Sequence, residues 1–163
     1  MKTTRLILLS FIYFLGFCNP NFAQNPSSDP NEYIELSTNN QTYVYDTLMG
    51  ILQNKNNHIY KIVENYHCYF SVSQDKSYFE FFDKVFSEKR KKELKGTVLP
   101  LIFYCDSSGN ILEMSFKIRD ISKFSIEELN ALENLFLKYK FEIINACPEK
   151  KYYLITTPYK GWL

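Results

Sequence analysis

The chain has only 5 glycines, 2 histidines and 1 tryptophan in 163 residues, and none of its 4 cysteines are spaced C-x-x-C. Each shortage closes off a class of chemistry. Phosphate-cradling loops need glycines at fixed spacing, and no such loop, H-E-x-x-H or G-x-S-x-G is present. Without C-x-x-C, a redox centre or structural zinc site has no ligand frame. Charge of one sign is also missing: 19 basic residues face 18 acidic ones, which gives no general attraction to nucleic acid. The apolar run Leu6 to Phe17 has 12 residues, against about 20 for a helix that crosses a bilayer.

That run is nonetheless informative. Lys2 and Arg5 precede it and a polar stretch ending in Ala23 follows, the layout of a cleaved secretory leader over residues 1–23. Export to the periplasm or the extracellular space is therefore expected, with cleavage between Ala23 and Gln24 and no integral span afterwards. Lipidation at Cys18 is disfavoured, because the bulky Phe17 stands where such sites take a small side chain. Losing Lys2 and Arg5 leaves 17 basic against 18 acidic residues. Three cysteines remain, Cys68, Cys105 and Cys147, and an odd count in an exported chain leaves at least one thiol outside any internal pairing.

Residues 24–40 are rich in Asn, Ser and Pro and read as a flexible lead-in, with one short extended piece at Tyr33 to Leu36. Residues 41–163 have the length of a single domain. Val44, Leu48, Ile51 and Leu52 stand at helical spacing, with a strand around Val44 as the competing assignment. Residues 59–72 are dense in β-branched and aromatic side chains and suggest one bent or two short strands. From Ser77 to Gly96 the period turns helical: Ser77 and Glu80 fit a capping box, and Tyr78, Phe82, Val85 and Phe86 share a face. Lys89, Arg90, Lys91, Lys92 and Lys95 then fall at the helix end, where cations suit the dipole.

Residues 98–105, VLPLIFYC, suit a buried central strand, and in residues 111–118 Leu112, Met114, Phe116 and Ile118 alternate with the polar Glu113, Ser115 and Lys117, as in a strand with one wet face. Between them lies DSSGN, residues 106–110. A calcium loop of the EF-hand type needs more acids, a longer loop and flanking helices; a hairpin turn with Gly109 or Asn110 at positive φ explains every residue without a metal. Ser125 and Glu128 form a second capping box ahead of the stripe Ile126, Leu129, Leu132, Phe136 and Tyr139. Glu127, Glu128 and Glu133 are expected on the solvated face. Residues 151–158 make a last strand stopped by Pro158. The order predicts an α+β fold: a small, mainly antiparallel sheet with packed helices and a C-terminal ββαβ unit. The strand ending at Cys105 and the helix from Ile126 both span about 24 Å, so Cys105 and Cys147 are brought to one end, close enough for a disulfide.

Residues 97–160, with LIFYCDSSGNILEMSF, SIEELNALENLFLKYKF and YYLITTPYK in sequence, resemble the C-terminal module of TonB-type proteins. The whole layout is similar to short secreted proteins of Bacteroidetes. The resemblance implies a module that meets a protein partner by strand addition; the Pro-rich spacer of TonB itself is absent, so energy transduction is not implied. Tyr152, Tyr153, Ile155 and Thr157 are the candidate binding residues, on a terminal strand whose Tyr, Ile and Thr suit edge pairing. The expected partner is an envelope or exported protein. A surface protein recognising glycans or lipids, and a hydrolase built around His67 with scattered acids, remain alternatives. His67 and Cys68 are neighbours in a strand-like stretch, where side chains point to opposite faces and cannot share a proton. No cofactor or metal is expected, and no residue pattern argues for catalysis.

Overall fold

The computed structural model describes residues 33–62, 70–73, 76–147 and 149–159. Six antiparallel strands form the main sheet in the order β1-β2-β3-β6-β5-β8: β1 is Tyr33–Ser37, β2 Thr42–Asp46, β3 Ile51–Asn54, β5 Leu99–Asp106, β6 Ile111–Lys117 and β8 Tyr152–Tyr159. Two short strands, β4 (Ser71–Ser73) and β7 (Glu142–Ile144), pair separately. Helices α1 (Lys76–Val85) and α3 (Ile126–Phe136) cover one sheet face, and α2 (Glu88–Glu93) follows α1. The fold is the expected α+β arrangement, and β5, β6, α3 and β8 are its ββαβ unit, with β8 returning beside β5.

The core lies between the helices and one face of the sheet. Leu99, Leu101, Phe103 and Cys105 of β5, Met114 and Phe116 of β6, and Leu52 of β3 are wholly buried there against Phe82, Leu129, Leu132 and Phe136. Aromatic rings dominate: Tyr78 meets Phe136 at 5.1 Å, and Phe103 meets Phe136 and Phe141 at 5.2 Å each, in the tilted or edge-on arrangements such rings prefer. The helix α3 forms as its capping box requires. Ser125 Oγ accepts from Glu128 N at 3.1 Å, and Glu128 Oε2 accepts from Ser125 N at 2.9 Å.

Several elements differ from expectation. The helical spacing around Val44 belongs to a hairpin of β2 and β3. Tyr43 and Tyr45 alternate inward, Asp46 Oδ1 accepts from Met49 N at 2.7 Å to close the turn, and Leu48, part of the supposed stripe, is 73% exposed. The extended piece expected within residues 24–40 is the strand β1, which pairs with β2 and so joins the main sheet. The single helix expected from Ser77 to Gly96 breaks at Ser87, whose extended backbone and side chain cap α2 by accepting from Arg90 N. Ile59–Lys61 is a 3-10 turn and not a strand. The side chain of Ser77, together with residues 1–23, His67, Cys68 and Trp162, lies outside the described residues.

Candidate functional site

The last strand, β8, pairs with β5 over its full eight residues and with no other described strand. Its register shows which way its main chain faces. Pro100 and Pro158 stand opposite each other. Neither has an N–H, so this pair occupies a position where the amides of an antiparallel ladder point away from one another. By strict alternation, Tyr153, Ile155 and Thr157 exchange hydrogen bonds with β5, while Tyr152, Leu154 and Thr156 turn their N–H and C=O groups outward. Proline at 158 suits an edge, where no described strand needs its missing amide.

The side chains divide by the same period. Tyr153, Ile155 and Thr157 are buried against the helices; Thr157 Oγ1 and the Tyr78 hydroxyl form a short hydrogen bond, and the Tyr153 hydroxyl donates to Cys147 O at 3.1 Å and accepts from Cys147 N at 2.8 Å. Of the four residues singled out from sequence, three are thus core residues, and only Tyr152 is partly exposed. Leu154, 42% exposed, and Thr156 stand beside it on the open face. The edge therefore presents main chain plus the Tyr152, Leu154 and Thr156 side chains.

The DSSGN stretch is a closed turn. Asp106 Oδ1 accepts from Ser108 N at 2.8 Å and Asn110 N at 3.0 Å, and Oδ2 accepts from Asn110 Nδ2 at 2.8 Å. These bonds to Asn110 and Ser108 hold the Asp106 carboxyl below the usual carboxylate range against the opposing effect of desolvation. Gly109, at φ 87°, passes its carbonyl to Phe141 N at 2.9 Å. The carboxylate that a cation would use is already occupied by the loop's own donors, and no cluster of three or more His, Cys, Asp or Glu is found among the described residues.

Two carboxylates expected to be solvated are buried. On the sheet's outer face, Glu113 is 7% exposed because residues 55–62 fold over it. Its oxygens accept from His58 N and Ile59 N at 2.8 Å each, and His58 Nδ1 lies 3.0 Å away. This carboxylate holds the start of a 3-10 turn. Ser115, two residues on, is wholly buried beside Tyr104. On the helix face Glu133 is 2% exposed, accepts from the Tyr43 hydroxyl and bonds Asn54. Burial raises its pKa, opposed by those two hydrogen bonds and assisted by the charge of Glu113. The helical wheel carries the missed signal: Glu133 follows Leu129 by four residues and precedes Phe136 by three, on the buried stripe. The third acid, Glu128, links α3 to α2 through Arg90, whose Nε and Nη2 reach it at 2.6 and 3.0 Å. Lys91 meets Asp83 and Glu88, so the cationic run at the helix end is partly paired.

The proposed Cys105–Cys147 bond is not formed. Cys105 is a free, wholly buried thiol, pushed up to about 12 by burial and by the charge of Asp106. Cys147 is disulfide-bonded, and not to Cys105. The lengths did bring both cysteines to one end. Cys105, however, points into the core opposite Tyr153, and the Tyr153 hydroxyl takes the main chain of Cys147.

No protein-family profile matches the chain, and no curated protein matches it either. Among solved structures the chain is similar to a DUF5043 family protein from Bacteroides uniformis, with a TM-score of 0.59 and 16% identity, over 80% of this chain and 92% of that one. At that identity the likeness establishes a shared fold.

Proposed function

We propose that this is an exported, non-catalytic module that binds an extended segment of another envelope or exported protein along the outer edge of β8. The supporting observation is the main-chain orientation of that strand: Tyr152, Leu154 and Thr156 face outward without a described strand partner, over a length that suits strand addition. Specificity would come from the outer-face side chains of Tyr152 and Leu154. At Pro158 the missing amide ends the pairing, which fixes where an added strand stops. Export is part of the same proposal and rests on the leader-like residues 1–23.

The test is site-specific photo-cross-linking in intact cells, with the reactive residue at Leu154 or Thr156 and, as control, at Asn134 on the exposed side of α3. An adduct with one exported protein at the first two positions, absent at the third, is expected, along with a mature start at Gln24. Thr156→Pro, which removes an outward amide and no β5 bond, should abolish the adduct while the melting temperature stays close to that of the parent. Equal labelling at all three positions would refute edge recognition.

A further inference from the structure

Below the β5–β6 hairpin, on the side away from DSSGN, lies a cleft of about 530 Å³, within the roughly 300 to 1,000 Å³ of small-molecule pockets. Three cations line it: Lys117 at the end of β6, Arg119 just beyond it, and Lys123 in the 3-10 turn Ile121–Lys123. Among the described residues none of the three makes an ion pair. The acid on the wall, Asp120, directs its carboxylate to Ser122, accepting from Ser122 N at 3.2 Å and Oγ at 2.6 Å. The lining between the cations is apolar, from Val98, Pro100 and Phe124.

The walls are fixed before anything binds. Ile118 N donates to Gly50 O at 2.7 Å and Ile118 O accepts from the Tyr45 hydroxyl at 2.9 Å, which locks the strand between the first two cations. Arg90 Nη2 donates to Lys123 O at 2.5 Å while Arg90 holds Glu128, so the third cation's main chain is tied to α3. A rigid cleft with three cations outside any described ion pair, Lys123 sharing its charge with Asp120, around an apolar lining complements one kind of ligand. We propose that it binds a small amphipathic anion, a carboxylate or phosphate head on an apolar body. This site is separate from the β8 edge and does not depend on it.

Calorimetric titration of the mature chain with octanoate, octyl phosphate, octanol and inorganic phosphate tests the assignment. The two anionic amphiphiles should saturate a single site, with octanol and inorganic phosphate each at least about tenfold weaker, and with affinity falling as salt is raised. A Lys117→Gln/Arg119→Gln double variant, both positions being exposed, should lose at least about tenfold in affinity at unchanged melting temperature; Lys138→Gln should lose none. Octanol binding as tightly as octanoate, no saturable binding, or full affinity in the double variant would overturn the proposal. Binding to phosphatidylglycerol vesicles without binding to octanoate would overturn it in favour of a membrane surface.

Discussion

Replacing Gly109 by alanine should damage this fold far more than the same change at Gly96. Both glycines have positive φ, 87° and 78°, so alanine meets a backbone penalty of about 1–2 kcal/mol at either position. At Gly96 nothing lies within 4 Å of the added carbon. At Gly109 the carbon would sit 2.0 Å from Phe141 O and 3.0 Å from Phe141 C, both main-chain atoms. The 140–141 segment must retreat by more than about 1 Å to normal contact distance, which breaks the Phe141 N to Gly109 O bond, worth about 0.5–1.5 kcal/mol. The retreat also pulls on the buried Phe141 ring, which meets Tyr139 at 5.1 Å and Phe103 at 5.2 Å, pairs worth about 0.5–1.5 kcal/mol each. The sum is about 2.5–6.5 kcal/mol for Gly109→Ala against about 1–2 kcal/mol for Gly96→Ala. Urea unfolding of the two variants and the parent would read this as a midpoint lowered by roughly 2 M for Gly109→Ala, taking a slope near 2 kcal/mol/M. Variants indistinguishable within the usual error of such extrapolations, about 10–15%, would refute the close-approach argument.

Two further predictions concern protons and thiols. Glu133 has its folded-state pKa raised by burial, so its contribution to stability is full below the ordinary glutamate range and is lost as pH rises through the folded value. Glu133→Gln, which keeps a neutral partner for Tyr43 and Asn54, should therefore gain on the parent in thermal melts from about pH 4 to about pH 8; a gap that does not widen with pH would exclude Glu133 as the responsible group. Cys105, buried and with its thiol pushed up to about 12, should resist iodoacetamide in the folded protein, while Cys147 reacts only after reduction. If residues 1–23 are removed as proposed, and Cys18 with them, non-reducing peptide mapping should place Cys147 in a bond with Cys68; a peptide joining Cys105 to another cysteine would contradict the structure.

What the sequence revealed follows from how local each determinant is. The α3 helix was legible because its capping box and buried stripe lie within fifteen residues and agree, and the β5–β6 hairpin because DSSGN supplies its own turn bonds. The β2–β3 hairpin was obscured because Val44, Leu48, Ile51 and Leu52 match a helical period by coincidence, and only pairing with β6 decides between the two. The wet face assigned to Glu113 and Ser115 failed because residues 55–62, remote in sequence, fold over it. A bulge at Tyr104 and Cys105 then shifts the phase at the turn end, putting Ile111 inside and leaving Leu112 40% exposed. At the candidate edge the strand was found but its faces were not: Tyr153, Ile155 and Thr157 alternate inward, and only the Pro100–Pro158 register reveals which groups are free to pair.

The order of the sheet also bears on how the molecule assembles. Strands β1, β2 and β3 are joined by tight turns, as are β5 and β6, so each group can form from neighbours in the chain. The two groups meet through β3 and β6, in three residue pairs from Ile51↔Lys117 to Gln53↔Ser115, across more than sixty positions of sequence. Closing so long a loop has an entropic cost that local turns avoid. Tyr43 bonded to Glu133 and Tyr45 bonded to Ile118 fasten the same seam. Joining the N-terminal meander to β6 therefore carries a loop-closure cost that the turns within each group do not.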